Sequence, residues 1–159
     1  MAQVEAKAMS RWADRLRRAL AEAEAPSLEA AAASTDPGIY LRGLLGGSRA
    51  STVRFRLRVW EAYARWMRTR RGRRWHQSPG DVVEYVHSQV SVPAAPSFPR
   101  AFWGALLWFE ARTGFGEELK FGRSDEVRRT MEWAVKELTD PNVAKKKAPR
   151  VLVAQVLAM

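Results

Sequence analysis

The sequence predicts an all-α protein, and three observations carry that reading. Apolar residues recur at near-helical spacing along most segments, Val4, Met9, Trp12, Leu16 and Leu20 among them. No stretch holds the strict alternation that a half-buried strand requires. The segments are bounded by helix punctuation, with Ser or Asp before them and Gly or Pro after them.

Residues 2 to about 24 form the first predicted helix, amphipathic throughout. The alanine-rich run from Pro26 to Ser34 carries no periodic signal and reads as a linker. Asp36-Pro37 supplies an N-cap followed by proline at the first helical position. It opens a short helix through Tyr40, Leu41, Leu44 and Leu45, which Gly46-Gly47 stops. Ser51 is expected to cap the longest helix, roughly residues 52–71, closed by Gly72. Within it Val53, Leu57, Trp60, Ala64 and Met67 share one face, and Phe55, Val59 and Trp66 form a second apolar stripe. A helix apolar on two sides is expected to lie between neighbours, with its third edge open.

Ser78-Pro79-Gly80-Asp81 has the form of a helix start with an acid at the capping-box position, leading into Val82, Tyr85 and Val86. Val92 to Pro96 reads as a rigid extended connection. Ser97 is expected to cap a helix running through Phe98, Phe102, Trp103, Leu106, Leu107, Trp108 and Phe109 to Gly114. That helix is apolar on almost every side and should be central. Ser124-Asp125-Glu126 begins another, with Val127, Met131, Ala134, Val135 and Leu138 inward, stopped at Asp140-Pro141. A basic connector follows, and Val151 to Met159 reads as the start of a further helix. These boundaries divide the chain into residues 1–35 (amphipathic helix and linker), a helical domain at 36–140, and a basic linker with the start of a next domain at 141–159.

The 159 residues suffice for one domain with a real core. With 47% hydrophobic and 28% charged residues the chain belongs to the globular class, and its seven Trp predict a core built on large rings. The absence of Cys excludes disulfides and thiolate metal sites. No apolar run is long enough to span a bilayer, and the acids Glu5, Asp14, Glu22 and Glu24 argue against a transit peptide.

Charge is the most uneven property. Between Arg42 and Arg74 lie eleven arginines (Arg42, Arg49, Arg54, Arg56, Arg58, Arg65, Arg68, Arg70, Arg71, Arg73 and Arg74) and one acid, Glu61, so this stretch alone carries the chain's formal net charge of +10. Helical spacing puts Arg54, Arg58, Arg65 and Arg68 in one stripe and leaves Arg70, Arg71, Arg73 and Arg74 at the helix end. Like charges at this spacing repel, and with Glu61 the one local acid the ridge is expected to meet a polyanion, above all nucleic acid. Lys145, Lys146, Lys147 and Arg150 read equally well as a tail, a nuclear import signal or a linker tracking a nucleic-acid backbone. Phe55, Trp66 and Trp75 sit among the arginines as base-stacking rings do, although such spacing belongs more often to a core.

Catalysis finds little purchase. His76 and His87 lie in no metal-binding or H-x-x-R context, and no phosphate-cradling glycine loop is present. His76, beside Trp75, is expected on a loop or at the surface. No cofactor, metal or small-molecule substrate is expected.

Several of these features together resemble a known family. Ser51-Thr52-Val53 opens a long helix carrying Trp60, Tyr63 and Trp66-Met67. Ser78-Pro79, Asp81-Val82-Val83 and Tyr85-Val86 follow, then Ala105-Leu106, Thr113-Gly114 and the Lys-Lys-Lys-Ala-Pro connector. Over roughly residues 38–159 this is similar to the N-terminal core-binding domain of tyrosine recombinases, the phage-integrase family. The resemblance implies a four-helix orthogonal bundle of the SAM-like kind, here with an extra N-terminal amphipathic helix. It also implies half of a clamp around duplex DNA in a protein of a mobile element, with self-association on DNA left open. The family's catalytic half follows this domain; its H-x-x-R motif is absent here, and Tyr40, Tyr63 and Tyr85 belong to the binding half. The expected role is therefore to grip DNA without cutting it. Arg49, Arg54, Arg58, Arg65, Arg68, Arg70, Arg71, Arg73, Arg74, Lys145, Lys146, Lys147 and Arg150 are the expected contacts. The expected location is the nucleus in a eukaryote and the nucleoid otherwise, with no membrane partner. The rival readings are a helical protein-interaction module with a basic face and a single-strand or RNA-binding domain.

Overall fold

The structure is a computed structural model that describes residues 2–92 and 94–140; the expected contacts at Lys145, Lys146, Lys147 and Arg150 lie outside the described residues. The described residues form seven α-helices and no strand: α1 (Ala2–Glu22), α2 (Pro26–Ala33), α3 (Pro37–Leu45), α4 (Ala50–Trp66), α5 (Pro79–Val90), α6 (Phe98–Thr113) and α7 (Asp125–Thr139). A π-helical turn, Met67–Arg71, continues α4, and a 3₁₀ turn, Glu117–Leu119, interrupts the loop between α6 and α7. The protein is all-α over this range, as the periodicity predicts.

α4 lies against α6, α5 against α7, and α1 against both α3 and α4. The centre is aromatic. Trp60 of α4 stacks on Phe109 of α6 with ring centroids 4.1 Å apart, and Tyr63 meets Phe102 edge-on at 5.2 Å. Such pairs add directional attraction to the burial of large rings. α1 belongs to this same cluster: Trp12, Leu16, Leu20 and Ala23 are buried in it.

The segment read as a linker is the helix α2. Proline at its start and alanine through its body give it strong intrinsic helix propensity, while small side chains supply no large periodic signal. Those small side chains also allow close approach. A Cβ at Gly114, the left-handed residue that ends α6, would come 3.1 Å from the Ser27 amide nitrogen.

Three expected caps differ from the structure. Ser51 lies inside α4, whose N-cap is Arg49 with no side-chain bond; the orphan amide of Ala50 donates instead to Glu5 of α1 at 3.0 Å. Neither Ser78 nor Ser97 caps through its side chain. Before α5, Asp81 accepts the Gln77 amide at 2.9 Å. Asp36 and Ser124 do cap, accepting the amides of Ile39 and Val127. α1 ends in a Schellman-type turn. Ala25 N donates to Leu20 O at 2.9 Å, and Glu24 takes the left-handed conformation (φ 55°) in which glycine is usual.

His76 lies in the loop between α4 and α5, one of the two expected settings, but not at the surface. It is fully buried, with Nδ1 3.1 Å from Tyr63 Oη and Nε2 2.9 Å from Glu110 Oε2. Glu110 also accepts the amides of Phe121 (2.7 Å) and Gly122 (2.8 Å). A carboxylate that accepts from Nε2 leaves Nδ1 to receive the Tyr63 hydroxyl hydrogen, so every polar atom of the chain Tyr63–His76–Glu110 is partnered. The network pins the α6–α7 loop to the core, helped by indole donation from Trp75 to Leu119 O and from Trp103 to Gly122 O.

Candidate functional site

The arginines that the sequence groups together divide in space. At about 100° per residue, Ser51, Arg54, Phe55, Arg58, Ala62 and Arg65 fall within an arc of about 100° on α4. All six are exposed and none is acidic. This face extends over about 21 Å of helix at 1.5 Å per residue. Arg54, Arg58 and Arg65 form no ion pair with any described residue, and the same holds for Arg49 at the N-cap and Arg70 in the π turn. They are guanidinium groups held on a rigid element with their donors free.

The remaining predicted contacts have partners inside the fold. Arg68 lies 3.3 Å from Glu22, and Arg74 is 3.3 Å from Glu24. Arg73 places one terminal nitrogen 2.7 and 2.8 Å from the two oxygens of the buried Asp81. Arg71 stands 3.9 Å from Asp81 and 4.0 Å from Glu84 and packs over the Trp66 ring. The premise that Glu61 is the one acid available to the basic stretch therefore fails, because α1, the turn after it and α5 bring four more. Glu61 itself is engaged from α1: Arg15 binds it bidentately at 2.6 and 2.7 Å. Between α1 and α4 an open cleft of ≈ 230 Å³ collects Arg15, Arg18, Arg65 and Arg68 with Glu22 and Glu61.

The three candidate stacking rings separate as well. Trp75 is buried, 5.3 Å from Trp60 and 4.7 Å from Phe115, and Trp66 is half-buried against Tyr85 at 5.3 Å. Phe55 is 52% exposed, among the free arginines. The second apolar stripe of α4 is thus covered at its C-terminal end and open at Phe55.

Two phenols border this helix. Burial pushes Tyr85 up to about 12 against a small opposing effect of the Arg65 charge, and burial chiefly, with the Asp81 and Glu110 charges next, drives Tyr63 well above the ordinary phenol value. Among the described residues no cluster of His, Asp and Glu gathers as a metal would require, and no helix is long and apolar enough to cross a membrane. No protein-family model, curated protein or solved structure matches the chain.

Proposed function

We propose that this protein binds duplex DNA through the exposed face of α4, as a four-helix orthogonal bundle similar to the core-binding half of a tyrosine recombinase. The single observation that carries the reading is an acid-free helix face on which Arg54, Arg58 and Arg65 have no counter-ion. A major groove admits one α-helix, and the small residues Ser51 and Ala62 between the arginines would let this one approach closely. Arg54, Arg58 and Arg65 would meet phosphates or a guanine edge, with Arg49 and Arg70 on the backbone at either end. Arg68 and Arg74 hold solvent-exposed ion pairs that phosphate can displace, Arg71 stands at the outer limit of ion-pair distance from Asp81 and Glu84, and Arg73 is committed to Asp81. The role assigned is to grip DNA, with no chemical step of its own, in the nucleus or nucleoid.

The test is a duplex-binding titration over a salt series. Affinity should rise as salt falls, with log affinity decreasing by roughly 0.9 per neutralised phosphate for each unit of log salt. Arg58→Glu with Arg65→Glu should weaken binding at least a hundredfold and flatten the slope. Unchanged affinity in that variant would sink the reading.

Phe55 favours one alternative, binding of single strands or RNA, because an exposed ring between arginines can stack a base. The same titration with single-stranded DNA and RNA separates the two. Duplex preference supports the groove, and a preference for single strands that Phe55→Ala abolishes supports stacking.

A further inference from the structure

A second group of arginines faces away from the α4 surface described above. Arg56 lies roughly 150° around the helix axis from the middle of that surface. Its guanidinium carbon is 6.0 Å from the centre of the Trp108 ring, and that of Arg112 is 4.2 Å from the same ring. Neither arginine forms an ion pair with a described residue. Their surroundings explain why: α3 carries no acid in its first turn, Glu61 is held by Arg15, and Glu110 is consumed by the His76 network.

Donors exceed acceptors here as well as charge exceeding counter-charge. Arg112 gives one terminal N–H to Trp108 O at 2.7 Å, while its Nε and the Trp108 Nε1 are buried without a partner. Burying a donor without an acceptor, or a cation without an anion, costs stability unless something supplies the missing group. Burial first, and the Arg56 charge second, pull Arg112 below the ordinary arginine value. The corner between α3 and α4 adjoins Arg112. Gly46, at φ 67°, has no side chain, and a Cβ built there would have Arg112 Nη2 as its nearest neighbour at 3.7 Å.

We propose that Arg112, beside Gly46, and Arg56, across the Trp108 ring from it, form a binding site for the phosphoryl group of a small, free ligand. Two guanidinium groups offer a tetrahedral dianion several charge-assisted hydrogen bonds, and planar forks suit phosphate better than a point charge does. Trp108 orients Arg112 by stacking beneath it. Because the site and the open face of α4 point in different directions, a duplex held by one does not occupy the other.

The probe is inorganic phosphate, titrated at constant ionic strength against a chloride control. The ¹H–¹⁵N signals of Trp108 Nε1 and Arg112 Nε report directly on the corner. The expected result is a saturable shift of both signals with phosphate and none with chloride. Arg56→Gln, which removes one of two uncompensated neighbouring charges, should weaken phosphate at least tenfold without lowering thermal stability in the absence of phosphate. Arg58→Glu with Arg65→Glu should leave phosphate binding intact. A shift that never saturates, one that chloride reproduces, or one that Arg56→Gln leaves untouched overturns the proposal. So does a response to duplex DNA in the absence of any response to phosphate.

Discussion

His76 Nε2 stands 2.9 Å from Glu110 Oε2, and the same carboxylate holds the Phe121 and Gly122 amides. Glu110→Gln replaces one acceptor oxygen by a donating amide and must leave at least one of those three donors facing another donor. A loss of about 2–4 kcal/mol is expected, since buried unmet donors and broken buried pairs cost that much. Gly122→Ala should act on the same point, because its Cβ would fall 2.6 Å from Glu110 Oε1. Urea unfolding measures the loss. Hydrogen exchange locates it, with the Phe121 and Gly122 amides losing protection before the core of α4 does.

Arg73 and Arg70 are three residues apart and equally basic, yet their replacement should have opposite consequences. Arg73→Gln strips the buried Asp81 of the guanidinium nitrogen that bonds both its oxygens and should cost about 2–3 kcal/mol. Asp81→Asn in the same chain should recover part of it. Arg70→Gln, at an exposed position without an ion pair, should change stability by less than about 0.5 kcal/mol. Paired denaturation curves decide the matter.

Alkaline pH should unfold the protein in a defined window. In the unfolded chain Tyr85 loses its proton near the ordinary phenol value, and in the folded protein only near about 12. Between those values the folded state binds the extra proton, so stability is complete below about pH 10 and falls as pH rises towards 12. Each unit of separation corresponds to about 1.4 kcal/mol, so Tyr85 alone accounts for a loss on the order of 3 kcal/mol. Tyr63, also raised by burial, steepens the fall. Absorbance at tyrosinate wavelengths should show two phenols ionising together with loss of near-ultraviolet circular dichroism; their ionisation in a still-folded protein would contradict this.

Glu24 occupies a left-handed position where a Cβ costs energy. Glu24→Gly should stabilise the α1 terminus by about 0.5–1 kcal/mol despite losing an exposed ion pair to Arg74, which contributes little. Thermal unfolding checks the sign. If duplex binding is measured on the same variant, freeing Arg74 should strengthen it slightly.

Much of this architecture is legible from local signals. Periodicity places α1, α4, α6 and α7, and Gly72 and Gly114 end their helices in the left-handed conformation. α2 escapes because helix propensity in alanine leaves no amphipathic pattern to read. The acid partners of the arginines escape for another reason: Arg15 and Glu61 are 46 positions apart, and only packing of α1 on α4 joins them. His76 is 34 positions from Glu110, and its neighbours Trp75 and Arg74 give no hint of a buried carboxylate. Sequence spacing thus locates the free arginines on α4, while deciding which others are neutralised takes the tertiary structure.

The Arg15–Glu61 pair has a consequence for the electric field of the protein. Glu61 sits three residues after Arg58 and four before Arg65, the separations at which a helix neutralises its own charges. By engaging that carboxylate from the side, α1 keeps it from quenching either arginine and brings a cation of its own to the cleft. The potential over α4 is therefore written partly by residues forty or more positions upstream. A chain trimmed of α1 would lose core packing and, at the same stroke, dim the positive field of the surface it left behind.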